Sequence, residues 1–213
     1  MHKNLINKTD EVLKAIGMPI LNHPVFYNCP VAIRFEIGDT EIDYREQEKK
    51  YTKAAYKRVN KIFTDFDFDI LRIDAIADFS KSKEEAFKNI LKLSGLPFPT
   101  ETRVAPFMFN GKFEEDNEKI ECYWEIKTLD IKMETLLKFV VLSDFYFKYK
   151  DFGSSVFFID SKQNLMFYLY DDRGLDLVAE KKETLLPCFE KYNEYILEDF
   201  KEEIESLFEE NLR

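Results

Sequence analysis

SVFFIDSKQNLMFYLYDDRGLDLVA, residues 155–179, decides how the rest of the chain is read. It holds three apolar runs, 155–160, 165–170 and 175–179, each too short for a stable helix and rich in aromatic and aliphatic residues. Ser161-Lys162-Gln163-Asn164 separates the first two, and Asp171-Asp172-Arg173-Gly174 separates the last two. Connections of this length join antiparallel neighbours, so the stretch predicts a β-meander. Asp at the start of a turn bonds the backbone two residues on. Glycine supplies the left-handed position of a short hairpin loop, where a side chain costs about 1–2 kcal/mol. Gly174 is therefore read as a structural turn residue at positive φ. Asp171, Asp172, Arg173 and Asp176 are read as a small ion network around it.

Outward from the meander, periodicity alternates between helix and strand. Helices are expected over 3–16, 45–64, 82–94 and 131–148. The third opens on Ser82 with Glu85 three residues later, a capping box. Strands are expected at 31–37, 68–77 and 120–127, where apolar and polar residues alternate. Pro97, Pro99 and Pro106 mark a loop running to about residue 117. A long acidic helix over 182–212 closes the chain, with Pro187 near its first turn. The expectation is one α+β domain over 1–213. Its sheet is mixed or antiparallel, has five to seven strands and is flanked by helices.

Charge is unevenly distributed. The chain carries −10 overall. Residues 171–213 hold fourteen acidic residues against six basic ones, a net −8. The 45–61 helix holds seven basic against two acidic residues, a net +5. A negative protein lacks the Lys/Arg surface on which phosphate-backbone binding rests, so no nucleic-acid partner is expected. The acidic segment reads in two ways: a solvated helix face, or a docking surface for a basic protein. In the second reading the contact residues are Asp171, Asp172, Arg173, Asp176, Glu190, Glu194, Glu198, Glu202, Glu205 and Glu209.

No reaction is named by the residues. The two histidines, His2 and His23, stand outside any metal-ligand spacing. No nucleophile elbow or phosphate loop occurs. Asp171, Asp172 and Asp176 lack calcium-loop spacing, although two of them reach one cation if the turn is tight. Three cysteines without CxxC spacing suit buried thiols in a reducing compartment. The start of the chain has no signal-like apolar region, and no run is long enough to span a bilayer, which together suggest a cytoplasmic protein. FYFKYKDF at 145–152 interleaves aromatics with lysines. It reads as a stacking platform or as a helix end packed on the sheet.

YDDRGLDLVAEKKETLLPCFEKYNEYIL (170–197) resembles the C-terminal signature of a bacterial family of unknown function. NCPVAIRFEIG (28–38) and AYKRVNKIF (55–63) are similar to that family as well. Tyr195 stands where the family usually has Trp. The resemblance implies small acidic cytoplasmic proteins, many of them like immunity proteins that protect a cell from a secreted toxin. The expectation is then a binding protein with no catalytic set, no cofactor and no metal. Its partner would be a basic toxin or effector domain. A metal-assisted hydrolase on the Asp171/Asp172/Asp176 turn and a self-associating structural protein are the alternatives. Oligomeric state is left open.

Overall fold

The computed structural model describes residues 4–77, 81–153 and 155–209. The helices are α1 (Leu5–Ala15), α2 (Glu48–Phe63), α3 (Lys83–Ser94), α4 (Met133–Val141), α5 (Lys182–Tyr192) and α6 (Lys201–Glu209). The strands are β1 (Ala32–Glu36), β2 (Ile70–Ile76), β3 (Glu101–Phe109), β4 (Lys112–Glu125), β5 (Val156–Asp160), β6 (Leu165–Leu169) and β7 (Gly174–Ala179). Among the described residues no helix is long and apolar enough to cross a membrane.

All strands lie in one sheet, in the order β1-β7-β6-β5-β2-β4-β3, and every pairing is antiparallel. The fold is α+β, with one open antiparallel sheet flanked by helices. Single-residue bridges, Phe35 with Ile196 and His23 with Phe109, extend the sheet past the five to seven strands expected. The meander β5-β6-β7 forms as read from the 155–179 stretch.

The sheet's two faces differ in chemistry. One is apolar: Phe158, Phe167 and their neighbours pack under Phe63 of α2, with ring centroids 4.7 and 5.6 Å away. The other carries charge. Register places Arg34, Asp176, Tyr168, Phe157, Arg72, Tyr123 and Glu101 side by side in one row across all seven strands. Helix α1 covers the β3 end of this face. Its first backbone N–H groups, those of Leu5 and Ile6, donate to the Glu101 carboxylate at 3.0 and 3.1 Å, a favourable place for an anion.

Four sequence expectations need correction. The proline-marked loop is a hairpin of β3 and β4. Its turn is Asn110-Gly111, both at positive φ (49° and 74°), the pair that a tight two-residue hairpin requires. Pro106 sits on the edge strand at a register shift, where the missing N–H interrupts no ladder. The helix expected over 131–148 ends at Val141, and a 3-10 segment, Phe147–Phe152, follows.

The single C-terminal helix is two. Between them the chain pairs with the sheet edge: Leu197 N–H donates to Arg34 C=O at 3.0 Å beside the Phe35–Ile196 bridge. Backbone satisfied at the edge of β1 is not available to a helix. Finally, Gly174 is not in the left-handed region. Its requirement is space, since a Cβ there would meet the Tyr170 side chain and approach the Phe35 carbonyl oxygen at 2.9 Å. Gly174→Ala should therefore destabilise the fold by about 1–3 kcal/mol through overpacking, read by urea unfolding. A loss under about 0.5 kcal/mol would show that the turn tolerates the methyl group.

Candidate functional site

The 171–176 acids do not converge on one point. The Asp171 carboxylate accepts the Arg173 N–H at 2.8 Å and the Gly174 N–H at 3.3 Å, which closes the turn. It also pairs with the Arg173 guanidinium. The Asp172 carboxylate takes the Tyr51 hydroxyl of α2, and burial pushes it up from its ordinary value. Asp176, on β7, lies in the charged row and lines the same cavity as Asp171, His23 and Arg34. Each carboxylate is engaged by a different protein donor. No group of three or more metal-ligating side chains converges among the described residues.

Asp176 is fully buried and grips Arg34 with two bonds, 2.7 Å from Nε and 2.9 Å from NH2. The Phe26 N–H adds a third bond to the same carboxylate at 3.1 Å. Burial pushes Asp176 up, and these three donors pull against it. The clamped guanidinium becomes a platform. Phe26, Tyr27, Tyr170 and Phe200 surround it, with ring centroids 4.8, 5.1, 5.6 and 5.7 Å from its carbon. Asp176 thus organises the aromatic cluster that carries Tyr27 and Phe200. Phe200 is half-buried there.

Further along the row lies a buried network that periodicity did not reveal. Arg72 forks onto Asp74 (2.7 and 3.0 Å) and reaches Glu121 at 2.7 Å. Lys119 bonds Asp74 at 2.7 Å, and Tyr123 donates to Glu121 at 2.6 Å. Arg103 joins Glu121 to Asp10 of α1. Three cations face three carboxylates, so the network is neutral and satisfied. Burial opposes the charge on Asp74, but Arg72 and Lys119 outweigh it and hold the carboxyl well below its usual range. The clue in the sequence was the polar alternation of 70–76 and 119–123, which reads equally as a solvent-facing strand.

The loop before β1 lays His23 over this row. Its N–H and C=O bond the end of the β3–β4 hairpin, at Met108 and Asn110. Its Nδ1 lies 3.2 Å from the Tyr168 hydroxyl, and its ring stacks on Phe107 at 5.4 Å. Burial, reinforced by Lys119 and Arg72 against Asp74, lowers the imidazole pKa to about 4. His23 is neutral near pH 7. All three thiols are buried, and burial pushes each up to about 12. None is a thiolate near neutrality.

The acidic residues from Glu190 onward are mostly exposed. Glu190, Glu194, Glu198 and Glu202 are exposed, as are Asp199 and Glu203, and none enters an ion pair among the described residues. Glu205 is half-buried. The side chain of Glu209 lies outside what is described. The break at 193–200 separates Glu190 and Glu194 from the Glu198–Glu203 group, so they do not form one helical ridge. Instead, Glu198 to Glu203 flank Phe200, whose ring meets Tyr27 edge-on at 5.7 Å. Tyr27 is 60% exposed.

A family model described as a domain of unknown function, DUF3885, matches residues 10–199. The chain belongs to the DUF3885 family. It is also similar to the uncharacterized protein YnaE of Bacillus subtilis (strain 168), 24% identical over 192 residues that cover 82% of this chain and 90% of that protein. No solved structure matches it. The matched span of this DUF3885 member includes His23, the charged row, the 171–176 turn and Glu198.

Two measurements test the site's energetics. Asp176→Ala leaves the half-buried Arg34 without its carboxylate and should cost about 2–4 kcal/mol, with the Tyr27 ring resonances losing their dispersion. An unfolding free energy within about 1 kcal/mol of the native chain would refute the clamp. His23 has a folded pKa of about 4 against 6.5 for the free side chain. The unfolded chain thus takes up a proton between these values while the native chain does not. Stability from this residue is complete above pH ~6.5 and drains as pH falls towards 4, by about 3 kcal/mol in all. Asp74, depressed in the fold, loses stability in the same direction, so the comparison must be with His23→Asn. Between pH 7 and pH 4 the native chain should lose about 3 kcal/mol more than this variant. Parallel curves would mean that His23 titrates normally.

Proposed function

We propose that this DUF3885 member is a non-enzymatic binding protein of the immunity type, which neutralises a basic toxin or effector domain by docking on it. The observation that carries this reading is the Tyr27 surface. An exposed tyrosine is held rigid between Phe26, Phe200 and the clamped Arg34. Four exposed carboxylates without ion pairs among the described residues, Glu198, Asp199, Glu202 and Glu203, flank its ring neighbour Phe200 in the chain. Rigid aromatics flanked by charge are typical binding hot spots, because the ring loses little entropy on contact. Unpaired carboxylates steer a basic partner during diffusion. The 171–176 turn contributes from behind, through Asp176 and Arg34, rather than by direct contact of its acids.

The hydrolase alternative gains nothing from the turn, since Asp171, Asp172 and Asp176 are each bonded to separate protein donors. Co-expression with the product of the neighbouring reading frame tests the proposal. The native chain should bind that product and rescue growth. Glu198→Lys/Glu202→Lys/Glu203→Lys should slow association by about tenfold or more at low salt, with the difference shrinking as salt rises. Tyr27→Ala should chiefly speed dissociation. A neighbouring product that is neither bound nor toxic would overturn the immunity reading, and unchanged kinetics in both variants would overturn the surface.

A further inference from the structure

The FYFKYKDF stretch lies apart from the Tyr27 surface and contributes to a different feature. With α2 and α4 it walls a groove of about 720 Å³. That volume is within the range of small-molecule sites. Four exposed lysines stand on its rim: Lys49 and Lys53 from α2, Lys138 from α4, and Lys148 from the 3-10 segment. None of the four ammonium groups has a carboxylate partner among the described residues. The one carboxylate in the lining, Glu48, is taken by the Tyr146 hydroxyl.

The floor is apolar. Val141 and Leu142 supply aliphatic surface beside Tyr56 and Tyr149. Tyr149 is fixed by stacking on Phe139, with centroids 4.7 Å apart and planes within 16°. Lys148 Nζ lies 4.6 Å from the Tyr149 centroid. The first turn of α2 also faces the groove, and no side chain caps it, so its positive dipole end adds to the lysines. The chain's −10 charge repels anions at a distance. At physiological salt that repulsion is screened beyond about 8 Å, so charges inside the groove decide.

Clustered positive charge around an aromatic floor matches a ligand with a planar apolar ring and several negative charges. We infer that the α2–α4 groove binds a nucleoside polyphosphate, its base against Tyr149 and its phosphates among Lys49, Lys53, Lys138 and Lys148. This does not depend on the toxin-docking reading, which uses another part of the surface.

Calorimetric titration of the full chain with ATP, adenosine and inorganic tripolyphosphate, in about 150 mM salt, tests it. ATP should bind, and each half-ligand should bind at least about tenfold more weakly. Lys53→Glu/Lys138→Glu should weaken ATP by about tenfold or more without changing the thermal melting point. If that pair fails to fold, Lys49→Glu/Lys148→Glu serves the same purpose. Absence of ATP binding at millimolar concentration would overturn the proposal. So would tripolyphosphate binding as tightly as ATP, which marks a non-specific cationic patch. Unchanged ATP affinity in a folded charge-reversed variant would place any binding elsewhere.

Discussion

The fork between Arg34 and Asp176 ties together parts of the chain that are distant in sequence. Asp176 stands on β7 directly after the signature turn, and Arg34 on the neighbouring edge strand. One carboxylate accepts two guanidinium bonds and the Phe26 N–H. That fixes the loop before β1, the start of the charged row and the aromatic cluster at Phe200. The same arginine also offers its C=O to Leu197, so the break in the C-terminal helix is set at this residue too. A charge buried this deeply is tolerable only because every donor is aimed at it. The arrangement is therefore rigid, and rigidity is what an exposed Tyr27 needs to serve as an anchor.

The row that begins at Arg34 explains the division of labour between the sheet's faces. The apolar face is filled by phenylalanines packed under α2, a contribution that depends on area and tolerates rearrangement. The charged face permits no such freedom, because Arg72, Asp74, Lys119 and Glu121 are satisfied in one register alone. A slip of one residue would turn these side chains into the apolar layer. The network thus specifies register, while the apolar face supplies most of the driving force. Aromatic rings alternate with the charges, with Phe157 stacked on Tyr168 at 4.7 Å and Arg72 over Phe157 at 5.5 Å. These rings pack between the charges and shield them from solvent.

Elements whose pattern is local were legible in the sequence. The β5-β6-β7 meander and the Ser82–Glu85 capping box each follow from residues a few positions apart. Features that depend on distant partners were not. Pro106 reads as a loop until its strand is known to be an edge. Gly174 reads as a left-handed turn residue until Tyr170 and the Phe35 carbonyl are seen to crowd it. The acids from 190 to 209 read as one ridge, because helical period cannot register that β1 captures residues 196 and 197. His23 carries no signal in the sequence, since nothing nearby indicates that Phe107 and Tyr168 enclose it. The Asn110-Gly111 pair was a local signal that should have outweighed the prolines.

Charge placement on the surface follows from the same architecture. The carboxylates of 198–203 and the lysines of the α2–α4 groove stay apart because rigid elements hold them. At the far end of α2 the signs do meet: Lys191 pairs with Asp65, and Arg58 and Lys61 lie over Tyr195. Those contacts fasten α5 and the following turn to α2 using only its last turns. Lys49 and Lys53, further up the helix, are left without an ion-pair partner among the described residues. Had α5 and α6 formed one continuous helix, Phe200 and the carboxylates flanking it would not have been brought to Tyr27. The break at Ile196 therefore builds the negative surface around Tyr27, apart from the positive one that α2 and α4 form.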